Sequence, residues 1–156
     1  MTERAAPLFV SSCEVPEQDL RPLRLLRRFD PASFSWEGVP VLAYKPAVES
    51  ALAWAGVLRQ TLVGASGEPT AFHLRYFEIQ PGGFSSLERH DHAHTVVVLR
   101  GRGRVRVGAE AFDVRLFDLV YVPPDVPHQF LNPDPNEPFG FLCPVDAQRD
   151  PPRPAD

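Results

Sequence analysis

The sequence predicts an all-β chain folded as an antiparallel sandwich or small barrel, and three observations support this. The 18 prolines of the 156 residues are spread from Pro7 to Pro154, and proline is excluded from helix interiors. From residue 71 onward, short runs of β-branched and aromatic residues alternate with Gly, Pro, Asp and Asn turns. Within those runs apolar and polar side chains alternate, most sharply at Arg104-Val105-Arg106-Val107, so one face is wet and the other packed. Seven or more such strands, with turns every eight to twelve residues, is the spacing of a sandwich or barrel. The length suits one domain, and no internal repeat is present, so one barrel is expected.

Composition excludes several functions. A formal charge of −4 provides no global attraction to nucleic acid. No apolar run approaches the ~20 residues of a membrane helix. The two cysteines, Cys13 and Cys143, are too few for a disulfide framework and lack the spacing of a zinc knuckle. The first residues do not have the basic, then apolar, then small pattern of a signal peptide. A soluble cytoplasmic protein is expected.

In chain order, residues 1 to about 15 read as a loosely tied arm. Between Glu17 and Phe29, Leu20, Leu23 and Leu26 recur at helical spacing among Arg21, Arg24, Arg27 and Arg28, which predicts a short amphipathic helix with a solvated basic face. Pro31 ends it. Val39 to Tyr44 reads as a strand, and Ala51 to Leu62 as either a short helix or a strand pair. Gly64 to Pro69 is a turn. Phe72 to Ile79 is a strand stopped by Pro81-Gly82-Gly83. The run Val96-Val97-Val98-Leu99 follows, with a bend or bulge at Gly101 and Gly103. Gly108-Ala109-Glu110 is a hairpin turn returning through Phe112, Val114 and Leu116. Leu119 to Val122, His128 to Leu131 and Phe139 to Val145 complete the strands. The proline-rich end reads as a surface tail. The divisions are an N-terminal extension over 1–50, a barrel over 51–146 and a tail over 147–156.

The chemistry is concentrated in Glu88-Arg89-His90-Asp91-His92-Ala93-His94. If this stretch is extended, Glu88, His90, His92 and His94 project to one face, and imidazole and carboxylate are ligands for zinc and for redox-active first-row metals. Spacing sharpens this. Anchored on Gly101, the chain reads Gly82, five residues, Glu88, one residue, His90, three residues, His94, six residues, Gly101. Downstream it reads Phe117, five residues, Pro123, one residue, Asp125, two residues, His128, three residues, Asn132.

These two stretches resemble the paired motifs of the cupin superfamily. In the first motif Glu88 stands for the usual first histidine and His94 for the usual glutamate. In the second, Phe117 and Asp125 stand for glycines, while Pro123, His128 and Asn132 keep their places. The resemblance spans roughly residues 70 to 145. It implies an antiparallel double-stranded β-helix (the jelly-roll barrel of cupins) with the N-terminal extension adding a strand or crossing to a partner, and a homodimer. It also implies one divalent transition ion (Fe, Mn, Ni, Cu or Zn) held by Glu88, His90, His94 and His128. That set keeps three histidines and one glutamate, with the glutamate moved.

Glu88 has two further readings, as a carboxylate that orients a ligand histidine or as a general base. His92 lies at no ligand position of the family and has three readings, as a ligand that closes the site in place of Glu88, as a support for a ligand, or as a pocket residue; Tyr121 and Phe130 read as lining the pocket or supporting a ligand. Tyr121 is a second candidate base. His73 reads as structural and Asn132 as a turn holder. Of the ladder Arg100, Arg102, Arg104 and Arg106, the later two are expected to face solvent. Such a centre supports oxygenase-type oxidation, the leading expectation, or Lewis-acid isomerase, decarboxylase or lyase chemistry. It also supports non-catalytic binding. Val96, Val98 and Phe130 predict a largely apolar pocket for a small organic molecule, favouring an aromatic or short acyl substrate over a sugar.

Overall fold

The computed structural model describes residues 23–45, 53–148 and 151–155. Its strands are β1 (Phe29–Asp30), β2 (Ser35–Trp36), β3 (Leu42–Ala43), β4 (Ala55–Val63), β5 (Phe72–Phe84), β6 (Glu88–Arg89) and β7 (His94–Arg100). They continue with β8 (Arg102–Val107), β9 (Glu110–Arg115), β10 (Leu119–Val122), β11 (His128–Leu131), β12 (Phe139–Asp146) and β13 (Arg153–Pro154). No helix occurs among the described residues. Apart from the small β1–β2 ribbon, the strands form one curled antiparallel sheet. One side runs β3-β4-β5-β12-β7-β10 and the other runs β9-β8-β11-β6-β13. The two join where Leu131 of β11 pairs with Phe84 at the end of β5.

Alternation decides what fills the barrel. Val57, Phe77, Phe141, Val96 and Val98 from one side meet Val105, Val114 and Phe130 from the other in a single core. The outer face of β5 and β12 is covered instead by the N-terminal segment, where Phe34, Trp36 and Val39 pack on Tyr76 and Leu142.

Three expectations are corrected and one open reading is settled. Residues 23–28 are irregular and Phe29 is in a strand, so the predicted helix is absent over its described half; residues 17–22 lie outside the described residues. There Arg27 donates to the Leu62 carbonyl (2.8 Å) and to Glu68 (2.8 Å), a tertiary anchor rather than a solvated face. Of the helix and the strand pair left open over Ala51 to Leu62, β structure is found, as one strand Ala55–Val63 whose inner face is needed against Phe77 and Ile79. The strand read over Val39 to Tyr44 shrinks to Leu42–Ala43. β5 does not stop at Pro81 but runs on to Phe84: Gly82 donates to the Asn132 carbonyl and Asn132 to the Gly83 carbonyl, so β11 takes over the pairing that Pro81 cannot give.

Both glycine-like positions of the second motif carry a backbone that glycine would adopt more easily. Phe117 has φ 69° and Asp125 φ 62°, and Gly82 and Gly101 of the first motif have φ 73° and 61°. The backbone is kept while the residue type departs. At Gly101 a Cβ would lie 2.2 Å from the Pro138 carbonyl oxygen, so this glycine is required for space as well as conformation.

Candidate metal centre

The alternation of the histidine stretch survives a bend. Residues 91–92 are not in a strand, yet Glu88, His90, His92 and His94 are all buried while Arg89 and Asp91 are exposed. His94 opens β7 and pairs with Val122 of β10. His128 opens β11 directly opposite Glu88 of β6. His90 follows β6, and its carbonyl accepts a 2.8 Å bond from the Asp125 amide, which ties the first motif to the turn that delivers His128. The result is a cluster in which His90, His94 and His128 each offer a nitrogen, all within 4.8 Å of one another.

The tautomers can be argued. The Nδ1 of His128 lies 3.0 Å from the Val126 carbonyl, so that nitrogen carries the hydrogen and donates, leaving Nε2 as a lone-pair donor to a cation. The Nδ1 of His94 faces the Cys143 sulfur at 3.2 Å. Its Nε2 is buried and has no hydrogen-bond partner among the described residues, and an orphaned buried nitrogen of this kind calls for a missing partner. Burial, and then the neighbouring imidazoles of His128, His90 and His92, push His94 down to about 2. Burial likewise lowers His128. Both rings are therefore neutral at physiological pH, the form that binds metal.

Glu88 lies beside the trio. One carboxylate oxygen accepts from the Tyr44 hydroxyl at 2.8 Å and lies 3.1 Å from the His90 Nε2. The other accepts from the Lys45 ammonium and the Ser86 hydroxyl. Burial alone would raise its pKa, but these partners, led by His90 and Lys45, hold it well below the usual carboxylate range. Tyr44, Lys45, Ser86 and Cys143 were not singled out in the sequence as site residues. Lys45, the only lysine, was a signal without an obvious meaning.

The remaining expected site residues separate. His92 is buried with its ring 4.5 Å from that of His94 and 5.1 Å from that of His90. Phe130 is buried, stacked on Phe141 at 4.6 Å and 6.2 Å from the His128 ring. Tyr121 is 57% exposed and stands on the outer face of β10, because Val120 and Val122 take the inner positions. His73 is half-buried, over Gly64 and beside Arg75. Asn132 is fully buried and holds the Ile79 and Glu137 carbonyls. Arg104 is exposed and paired with Asp113, whereas Arg100 bonds Glu78.

Comparison with known proteins gives the family. A profile of the cupin domain matches residues 75–145. The chain is 44% identical over 135 residues to the 1-methylthio-D-xylulose 5-phosphate methylsulfurylase of Rhodospirillum rubrum, covering 86% of this chain and 81% of that protein. The chain belongs to the cupin superfamily. Crystal structures agree: a cupin 2 conserved barrel domain protein from Rhodopseudomonas palustris superposes with a TM-score of 0.71 at 40% identity, over 84% of this chain and 86% of that one. A cupin-2 domain from Rhodospirillum rubrum gives 0.69 at 43%, over 83% of each chain.

Proposed function

We propose that this cupin is a metal-dependent enzyme that acts as a methylsulfurylase on 1-methylthio-D-xylulose 5-phosphate or a closely related phosphorylated thio-ketose. The observation that carries the metal is the convergence of three buried imidazoles, with the buried His94 Nε2 lacking any partner among the described residues. The activity named for the relative that is 44% identical over 135 residues supports the substrate.

Glu88 joins His90, His94 and His128 as the fourth ligand. Two donors about 2.1 Å from one ion and roughly at right angles lie about 3 Å apart, and the Glu88 oxygen stands 3.1 Å from the His90 Nε2. With one carboxylate among four ligands, a divalent ion keeps a net positive charge. When bound it supplies Lewis-acid polarisation of a ketone oxygen, which acidifies the neighbouring carbon, in this substrate the one bearing sulfur. Lys45, Tyr44 and Ser86 keep Glu88 ionised and oriented. His92, packed on the ligand rings, is the group we assign to proton transfer at that carbon.

The oxygenase reading of the sequence rests on the same ligands, and the named substrate of the relative moves our reading to Lewis-acid chemistry. The test is consumption of 1-methylthio-D-xylulose 5-phosphate with a small thiol as acceptor, followed by mass spectrometry with protein loaded with Mn, Fe, Co, Ni or Zn. In that reaction the carbon–sulfur bond breaks, a disulfide forms between the methylthio group and the thiol, and the thiol proton goes to the carbon. We expect turnover that persists without oxygen and is lost on chelation or in His128→Ala. No consumption with any of these ions would overturn the assignment, and strict dependence on oxygen would restore the oxygenase reading.

A further inference from the structure

We propose that Lys45 is a positioning residue of the metal centre, restraining Glu88 so that one of its two carboxylate oxygens is withheld from the ion. The centre thereby keeps a coordination position open and binds its metal less tightly than the same four ligands would unrestrained. The inference deepens the functional reading above and rests on it for Glu88 as a ligand, while the contacts of Lys45 stand independently of it.

The chain delivers Lys45 to the centre through Tyr44. The Tyr44 amide donates to the Val57 carbonyl of β4 at 3.1 Å, and its ring meets those of Trp54 and Phe77 at 5.6 and 5.8 Å. Phe77 belongs to the barrel core, so the residue before Lys45 is fixed to the inner wall. The Lys45 ammonium stands 4.8 Å from the centre of the Tyr44 ring, donates to the Ser86 hydroxyl at 2.9 Å and pairs with Glu88. Its side chain is 15% exposed and that of Glu88 6%. The pair is therefore shielded from solvent, and its charges are weakly screened.

A carboxylate offers about four lone pairs, two on each oxygen. One oxygen of Glu88 accepts from both Lys45 and Ser86, which fills its two places. The other accepts from the Tyr44 hydroxyl at 2.8 Å and has its remaining place beside the His90 Nε2, 3.1 Å away. What is left for an ion is one lone pair of one oxygen, on the histidine side. The position of the carboxylate agrees with this. The nitrogens of His90, His94 and His128 lie within 4.8 Å of one another, and Glu88 is outside that close group, so it reaches the trio at its His90 edge. Ser86 and Tyr44 orient the carboxylate without charge, and Lys45 adds the charge. An ammonium against the carboxylate offsets the negative charge offered to a cation and also repels a divalent ion. The centre stays more positive as a result, the property that polarises a substrate oxygen.

The test is the dissociation constant of zinc for the full chain, by competition with a chromogenic chelator. We expect Lys45→Met and Lys45→Gln to bind zinc about tenfold or more tighter than the wild type, and Lys45→Arg, which keeps the charge, to stay close to it. Glu88→Gln should bind about tenfold or more weaker, as the loss of a ligand requires. The sign is what decides. A lysine that only supported the fold would, on removal, weaken zinc binding or leave it unchanged, and either result in the Lys45 variants would overturn the restraint. Lys45→Gln still offers a hydrogen bond to the carboxylate, so it decides the matter if Lys45→Met does not fold. Weakened binding in Glu88→Gln without tightening in the Lys45 variants would overturn the restraint and leave Glu88 a ligand. Unchanged binding in Glu88→Gln would overturn the ligand reading itself, and the restraint with it.

Discussion

Phe117 holds φ 69° with a side chain 75% exposed, so it bears the cost of a left-handed backbone and recovers little from packing. A non-glycine residue in that region costs roughly 1–2 kcal/mol. Phe117→Gly should therefore stabilise the protein by about 1 kcal/mol and raise the melting temperature by about 2–4 °C in calorimetry. No change or a loss would mean that Phe117 makes contacts that outweigh the strain. Asp125→Gly should gain less, since Asp tolerates this conformation and Asp125 also pairs with Arg153. This site was legible as a spacing and not as a residue type: the interval from Phe117 to His128 marked a glycine-like position, and the structure has the glycine-like backbone there. By contrast, Tyr44 and Lys45 lie 43 or more residues before the carboxylate they hold, and local patterning cannot reveal a partner at that distance.

Between elements, the sheet faces meet through residues chosen for what they lack. A Cβ on Gly103 of β8 would come within 2.4 Å of the Phe139 ring of β12, so Gly103 lets that fully buried ring close the barrel. Gly103→Ala should cost about 2 kcal/mol, read from urea unfolding at unchanged m-value. The sequence pointed to a bend at Gly101 and Gly103, but the reason at Gly103 is the ring of a distant strand. The C-terminal tail is the second case. Its prolines read as a surface tail, and β13 does lie on the surface, paired with β6, while Arg153 bridges Asp91 of the histidine loop and Asp125 of the turn before His128. Exposed ion pairs contribute about 0–1 kcal/mol. Arg153→Ala should accordingly leave global stability nearly unchanged yet speed hydrogen exchange locally at the Asp125 amide, which donates to the His90 carbonyl; unchanged exchange there would show that the bridge does not hold the loop. The predicted helix before Pro31 failed for a related reason. Helical spacing of leucines is a local signal, and Arg27 instead satisfies the Leu62 carbonyl and Glu68, a tertiary demand that propensity does not register.

For the whole molecule, two buried imidazoles held neutral, those of His94 and His128, make folding depend on pH. His94 and His128 have folded pKa values depressed below the ordinary 6.5, so as pH falls below 6.5 the unfolded chain binds protons that the folded chain does not. Their contribution is fully present above that pH and is lost as pH falls toward the folded value, at up to about 1.4 kcal/mol per pH unit for each histidine. The metal-free protein should therefore lose stability steadily between about pH 6.5 and 5, measured by thermal melting across a buffer series. Glu88, held ionised, adds its own loss only below its ordinary value of 4.5. A melting temperature flat from pH 7 to 5 would contradict burial of these rings. At this scale the barrel and the histidines were legible, because strand periodicity and motif spacing are both written along the chain. The passage of Lys45 beside Glu88 was not, since it depends on which segments become neighbours.

The most direct test is the metal content of tag-free protein by elemental analysis, for the wild type beside His94→Ala and His128→Ala. Convergence of His90, His94 and His128 predicts about one transition ion per chain in the wild type and a loss of affinity on the order of a hundredfold in each variant, the scale of losing a direct ligand rather than a supporting bond. A wild-type protein that takes up no stoichiometric ion, or variants that hold it as tightly as the wild type does, would contradict the metal centre.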